Sequence, residues 1–309
     1  MANSKFAYVK LFEEERKILL NCFFVIRIDG CDFKKFIKLH NYEKPNDIRG
    51  LQLMNACAIN VLNKFNEIDL SFGHSDEYSF LFRKNTKLWN RRQDKILTNV
   101  VSYFTSSFLF KWKTFFPDQE LLYPPNFDAR LIIYPSEKEV IDYFSWRQAD
   151  CHINTQYNEC FWNLVLKKNY THEEAYKFLL TTQTKEKNEL LFTEFNINYN
   201  NIPIIFRRGT IIIRNKMYKK NKSHNMDNNK QTNAITDAIT DVTTINKNEQ
   251  EIKPHKMSIN TNTIYINNLL NKNSDQQKCN NLDKFITAHE NIISEQFWKK
   301  YDYIFKTNM

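Results

Sequence analysis

Two acidic points carry the chemistry this sequence offers. Asp29 closes the apolar run Phe23-Phe24-Val25-Ile26-Arg27-Ile28 and stands just before Gly30. Asp76-Glu77 lies inside the stretch Ser71-Phe72-Gly73-His74-Ser75-Asp76-Glu77-Tyr78-Ser79-Phe80. Carboxylates held at the ends or turns of buried strands tend to face a site rather than a core. Two of them brought together repel by several kcal/mol unless a cation lies between them, and Mg²⁺ is the expected ion. The alternative is that each acid caps its strand or pairs with a neighbouring Arg or Lys. The chain has only 4 Gly, and two of them, Gly30 and Gly73, stand beside the acids. That placement points to close backbone approach there.

The elements that must position these residues follow from the pattern. Residues 3–20 read as a short helix of mixed charge, and 23–29 as a strand buried on both faces. Asp32 to Phe36 opens a short helix whose first N–H groups would face the same site. Asp47 is placed to cap a helix over 48–66, in which Leu51, Met54, Ala58, Val61, Leu62 and Phe65 form the apolar face. Residues 69–83 read as a β-hairpin with the acids at its tip. A long helix over 87–116 carries the stripe Trp89, Ile96, Val100, Phe104, Phe108 and Trp112. Asp128 to Pro135 reads as a strand. Ser136 caps a helix running past Trp162, and Thr171-His172-Glu173-Glu174 is a capping box. Ile204 to Ile213 reads as a hairpin around Gly209.

Strand, acid, Gly and helix, followed by a strand–acid–strand hairpin, is the outline of a two-metal nucleotidyl-transfer palm. A triphosphate would need basic partners, and Arg27, Lys34, Lys44 and Lys95 are candidates. Arg27 could equally be an edge residue and Lys95 an exposed helix position. No Walker or G-x-G-x-x-G pattern occurs, which excludes P-loop and Rossmann readings.

Composition sets the frame. The 309 residues suffice for one large or two medium domains, and 15% aromatic content, including 25 Phe, indicates a globular chain. The net charge of +9 favours polyanionic partners. Residues 216–284 contain 15 Asn and no Gly, Trp or Phe, so they read as a disordered Asn/Lys-rich insertion. Order is expected to resume at about 285 in a short helix that docks on the domain. The 6 Cys form no CxxC pair, which fits reduced thiols inside a cell. Cys151-His152 with Cys160 lack a second ligand pair, so zinc is not expected. No apolar run of transmembrane length and no signal-like N-terminus is seen.

Several runs resemble the tRNA(His) guanylyltransferase family: RIDG at 27–30, KPND at 44–47, GHSDEYSF at 73–80, LLYPPNFDAR at 121–130, HINTQYN at 152–158 and KNELLFTEFNINYNN at 187–201. The resemblance covers about 1–215 and resumes at Phe297-Trp298-Lys299. It implies an α/β (α+β) fold, a polymerase- or cyclase-like palm with an antiparallel sheet flanked by helices, plus a helical C-terminal part. The organisation would be a catalytic palm at 1–135, a helical tRNA-recognition region with a finishing hairpin at 136–215, the insertion at 216–284, and a C-terminal helix at 285–309. The implied reaction runs 3′ to 5′. ATP adenylylates the 5′ end of tRNA(His), the GTP 3′-hydroxyl displaces AMP, and pyrophosphate is then removed from the added G at position −1.

The same resemblance implies site residues. Asp29, the Gly30 carbonyl and Asp76 look like ligands of two Mg²⁺ ions, with Glu77 in support of catalysis. Arg27, Asp29, Gly30, Cys31, Asp32, Phe33, Lys34, Lys44, Ser75, Asp76 and Lys95 make up the expected nucleotide-binding set. His152, Asn154, Lys187 and Asn198 match positions associated with tRNA. Cys31 and Lys34 depart from the family's usual Arg and His. The resemblance also implies a homotetramer, while no membrane partner is expected and cytoplasm is the default compartment, with nucleus or organelle open. The alternatives are a template-dependent 3′–5′ polymerase repairing tRNA 5′ ends, and a non-catalytic tRNA-binding protein.

Overall fold

The computed structural model describes residues 4–215 and 284–306. By its contacts the chain divides into Met1–Arg214 with Ile286–Met309, and Asn215–Phe285. Of the second part only Asn215, Lys284 and Phe285 are described. The insertion expected at 216–284 therefore lies outside the described residues, apart from Lys284.

Strand β1 (Phe23–Cys31) leads into helix α1 (Phe33–Leu39), and a loop leads on to α2 (Ile48–Lys64). Asp47 caps α2 by accepting from the Arg49 N–H at 2.9 Å. The hairpin strands β2 (Ile68–His74) and β3 (Glu77–Phe82) follow, with Ser75-Asp76 as the turn. Next come α3 (Gln93–Phe115) and β4 (Asn126–Tyr134). Helix α4 (Glu137–Lys168) starts on a Ser136 capping box. After it come α5 (His172–Leu179), which starts on a Thr171 capping box, α6 (Thr184–Phe195) and α7 (Ile204–Arg208). Strands β5 (Thr210–Arg214) and β6 (Phe285–Ala288) and helix α8 (Glu295–Lys300) complete the order. The sheet order is β4-β1-β3-β2-β5-β6, and the pairings among β1 to β5 are antiparallel.

Side-chain alternation along the strands builds two faces. Phe24, Phe80 and Phe82 point to one side, where Phe104 of α3 meets Tyr78 and Phe80. Phe23, Val25, Leu70, Phe72 and Leu81 point to the other, against Val140 and Phe144 of α4 and Phe297 and Trp298 of α8. The expectation that β1 is covered on both faces is met over Phe23–Ile26, which are buried. A second apolar cluster joins α4 to α5 and α6 through Cys160, Leu164, Ala175, Leu179 and Leu191.

Four local expectations are corrected. In place of the helix expected over 3–20, the described residues 4–20 hold the 3-10 turn Ala7–Phe12, none of whose side chains is buried, and a bridge from Lys17 to Arg92. The helix expected from 87 begins at Gln93, because Trp89 and Asn90 take φ values of 44° and 55° in a separate turn over Leu88–Arg91. Ile204 to Ile213 is a helix followed by a strand, not a hairpin. Pro203 opens α7 and Gly209, at φ +68°, ends it. A strand, β6, precedes the C-terminal helix. Where β5 ends, the Asn215 N–H donates to the Lys284 carbonyl at 3.0 Å.

Candidate active site

The register of β1 against its neighbours gathers the acids. Asp29 stands opposite Glu77 of β3 on one side and Asp128 of β4 on the other, and Arg27 stands opposite Ser79 and Arg130. Directly opposed residues bring their Cβ atoms within about 5 Å of each other. One row of the sheet is therefore carboxylate-rich, and the row two residues back along β1 is basic. The Gly30 N–H donates to the Asp76 backbone carbonyl at 3.2 Å, tying the end of β1 to the hairpin turn. A Cβ on Gly30 would lie 2.5 Å from the Phe33 ring and 3.0 Å from Asp76 Oδ2. A Cβ on Gly73 would lie 2.1 Å from the Tyr78 ring. Close approach, not a positive φ, is what requires both glycines.

The electrostatics are those of crowded acids. Burial, then Glu77 and Asp128, push the Asp29 carboxyl above its usual range, and Arg27 and Arg130 offset this only in part. Burial pushes Asp76 up as well, against the Ser75 hydroxyl that donates to its Oδ1 at 2.8 Å. Carboxylate oxygens are hard donors of the kind Mg²⁺ takes, but no cluster of three or more His, Cys, Asp or Glu that could hold a metal ion is found among the described residues.

Glu77 is held from behind by a residue the sequence reading did not single out. Arg147 of α4 donates to both Glu77 oxygens, at 3.1 and 3.0 Å, and its guanidinium lies 3.3 Å from the Trp146 ring centroid. Arg27 Nε is 3.7 Å from Glu77 Oε2. Burial still leaves the Glu77 carboxyl above its usual range despite both cations. His74 Nε2 is buried without a hydrogen bond, 3.8 Å from Glu77 and 4.0 Å from Asp150, and burial pushes its imidazole down to about 4. Arg147 falls on the buried stripe Val140, Tyr143, Phe144, Arg147 and Cys151. That helical spacing was the signal that could have found it.

The other expected residues are distributed as follows. Cys31 is half-buried at the end of β1, while Asp32 and Lys34 are exposed. The Phe33 ring packs on Phe36, Phe108 and Phe127, so it is a core residue. Lys44 lies over the Trp162 ring of α4 at 5.0 Å, and Asn46 of the same loop donates to Glu159 at 3.0 Å. Burial lowers the Lys44 pKa. Lys95 does not join the acids. It lies over Trp89 at 5.6 Å, near the start of α3, whereas Phe108 of that helix packs on Phe33 beside the site. The two lie 13 positions apart on the helix, which is about 20 Å. His152 of α4 and Tyr199, which follows Asn198, are in contact at 3.0 Å. Asn154 is exposed and donates to Asp150 at 3.2 Å, and Lys187 donates to the Thr182 carbonyl at 2.6 Å.

Residues 6–135 match the family model described as tRNAHis guanylyltransferase, and residues 138–294 match the one described as Thg1 C terminal domain. The chain belongs to the tRNA(His) guanylyltransferase family. A probable tRNA(His) guanylyltransferase of Dictyostelium discoideum is 50% identical over 222 residues, covering 72% of this chain and 87% of that one. The human protein of the same name is 48% identical over 217 residues, covering 70% and 73%. The crystal structure of the Saccharomyces cerevisiae family member matches with a TM-score of 0.65 at 46% identity, over 68% of this chain and 93% of that one. A bacterial family-like protein, solved in complex with ATP, matches with a TM-score of 0.55 at 27% identity, over 67% and 85%. The fold is thus the palm-like α/β fold of the family with its helical C-terminal part. No helix among the described residues is long and apolar enough to cross a membrane.

Proposed function

We propose that this chain adds G to the 5′ end of tRNA(His), activating that end with ATP and then transferring from GTP. One observation carries the reading. In a member of this family, the β1–β3 register, which sets Asp29 opposite Glu77, and the Gly30–Asp76 hydrogen bond put Asp29 and Asp76 at the same end of these two neighbouring strands.

Asp29, the Gly30 carbonyl and Asp76 would hold Mg²⁺, which when bound neutralises the carboxylates and the phosphate oxygens. The chain's own part is positioning. Ser75 orients Asp76, and Glu77, locked by Arg147, keeps the turn in place. Arg27, together with Lys34, supplies positive charge beside the acids, and Lys44 does so from the loop that rests on α4. Asp29, Gly30, Cys31, Asp32 and Phe33 form the backbone edge that a nucleotide would meet. Lys95 is not part of this site. His152, Asn154, Lys187 and Asn198 belong to α4, α6 and the loop after α6, and we assign them to tRNA. The homotetramer and the cytoplasmic compartment stand as part of the same reading. The latter is supported by free thiols at Cys22, Cys31, Cys57, Cys151 and Cys160.

The test is labelled-GTP addition to monophosphorylated tRNA(His), with and without ATP. Incorporation should depend on ATP and Mg²⁺, and should vanish in Asp29→Ala and Asp76→Ala while tRNA binding persists. Normal incorporation by both variants defeats the assignment. Equal use of a 5′-truncated non-His tRNA would make the chain a general 3′–5′ polymerase. Absence of GTP turnover would leave a tRNA-binding protein.

A further inference from the structure

We propose that Tyr199 is a positioning residue that fixes the His152 imidazole with its Nε2 lone pair directed at a hydrogen-bond donor of the tRNA. This rests on the tRNA role proposed above for His152.

Tyr199 is buried, 7% exposed, at the foot of the loop that follows α6. Its hydroxyl meets the same residue twice, at 3.0 Å from His152 Nδ1 and 3.2 Å from the His152 backbone oxygen. The phenol carries one proton. If it went to Nδ1, the hydroxyl would face the carbonyl as one acceptor against another. Both contacts are favourable only if Tyr199 donates to the carbonyl and accepts from Nδ1–H. The neutral ring then has its proton on Nδ1 and a lone pair on Nε2. The two rings meet edge to face, with centroids 5.1 Å apart and planes at 79°, which fixes the tilt of the imidazole as well. Burial and the nearby Arg207 guanidinium lower the His152 pKa and so favour the neutral form.

Nε2 itself remains available. It has no hydrogen bond to any described residue. Among the described residues, His152 Nε2 is not one of the buried side-chain atoms that lack a hydrogen bond. It therefore opens to solvent. Its neighbours in sequence, Ile153 and Asn154, are exposed on the same helix. An acceptor fixed in this way selects a donor edge, such as the exocyclic amine or ring N–H of an unpaired base, or a 2′-hydroxyl. Tyr199 does not touch the RNA in this arrangement; it acts through His152.

The experiment uses the full chain and a double-mutant cycle of Tyr199→Phe and His152→Ala, read as kcat and KM for monophosphorylated tRNA(His). Loss of one neutral hydrogen bond predicts that Tyr199→Phe raises the tRNA KM by about 3- to 10-fold and changes kcat by less than about 2-fold. His152→Ala should raise KM at least as much, and adding Tyr199→Phe to it should have no further effect. In selectively ¹⁵N-histidine-labelled protein, Nε2 of His152 should resonate as an unprotonated nitrogen in the parent and shift towards a tautomer average in Tyr199→Phe. An equal KM increase from Tyr199→Phe in both backgrounds overturns the proposal, as does an Nε2-protonated ring in the parent. An unaltered KM in Tyr199→Phe beside a raised KM in His152→Ala overturns the role of Tyr199 alone. An unaltered KM in His152→Ala overturns the reading of His152 and the proposal with it.

Discussion

Replacing Arg147 by Met tests whether the turn carrying Asp76 is held from α4. Met has a similar length and is apolar, so the site stays filled while the charge is lost. Arg147 donates to both oxygens of Glu77, at 3.1 and 3.0 Å, and both side chains are nearly sealed from water, at 5% and 11% exposed. Removing one partner of a buried ion pair costs roughly 3–5 kcal/mol, because the remaining charge is left unpaired. Arg27 remains 3.7 Å from Glu77, and His74 is neutral and adds nothing. The cost should therefore fall near the lower end, about 3 kcal/mol. For a domain of this size that is a drop of roughly 6–12 °C in melting midpoint. Adding Glu77→Gln removes the stranded charge and should recover about 1–2 kcal/mol. Urea and thermal unfolding of the parent, both single variants and the double variant measure all of this. A loss below about 1 kcal/mol in Arg147→Met, or no recovery in the double variant, would refute the reasoning.

Three other outcomes are expected. Gly73→Ala puts a Cβ 2.1 Å from the Tyr78 ring, whose hydroxyl donates to Asn55 at 3.0 Å, so unfolding should show a loss of about 1–3 kcal/mol; parent-like stability would contradict it. Lys95→Ala should leave GTP incorporation intact, and a loss above about 10-fold would return Lys95 to the site. His289 donates from Nδ1 to the Gly209 carbonyl at 2.7 Å, and burial lowers its pKa. A depressed native pKa means the unfolded chain takes up the proton first, so this contribution is present above the unfolded value of about 6.5 and is lost as pH falls through the native one. His289→Asn should flatten the decline of stability below neutral pH, and an unchanged profile would exclude His289 as a source.

The strands and the long helices were legible because their patterns are unambiguous: an apolar run at 23–28, a hairpin pattern at 69–83, helix caps at Ser136 and Asp47, and a capping box at Thr171. The acids were legible from their place beside glycines. What stayed hidden was set by three-dimensional neighbours. Asp128 enters the site only through the β1–β4 register, which no local pattern fixes. The Ile204-Ile205-Phe206 run has strand-like composition, but Pro203 and Gly209 bound it as one helical turn and a half. Lys95 sits on the same helix as residues beside the site, and periodicity gave its face but not which end of the helix approaches the acids. Arg147 lies five residues before the HINTQYN run, yet its partner Glu77 lies 70 positions earlier in the chain.

The bond between the Asn215 N–H and the Lys284 carbonyl has a consequence for how such a chain takes insertions. It joins two residues 69 positions apart in the chain, one just after β5 and the other just before β6. Closing a flexible interval costs only about 0.6 kcal/mol more each time its length doubles. On that scale, doubling the number of residues between these two positions would raise the closure cost of the junction by only about 0.6 kcal/mol. By closure cost alone, a reporter or affinity tag inserted between Asn215 and Lys284 should therefore disturb the sheet little.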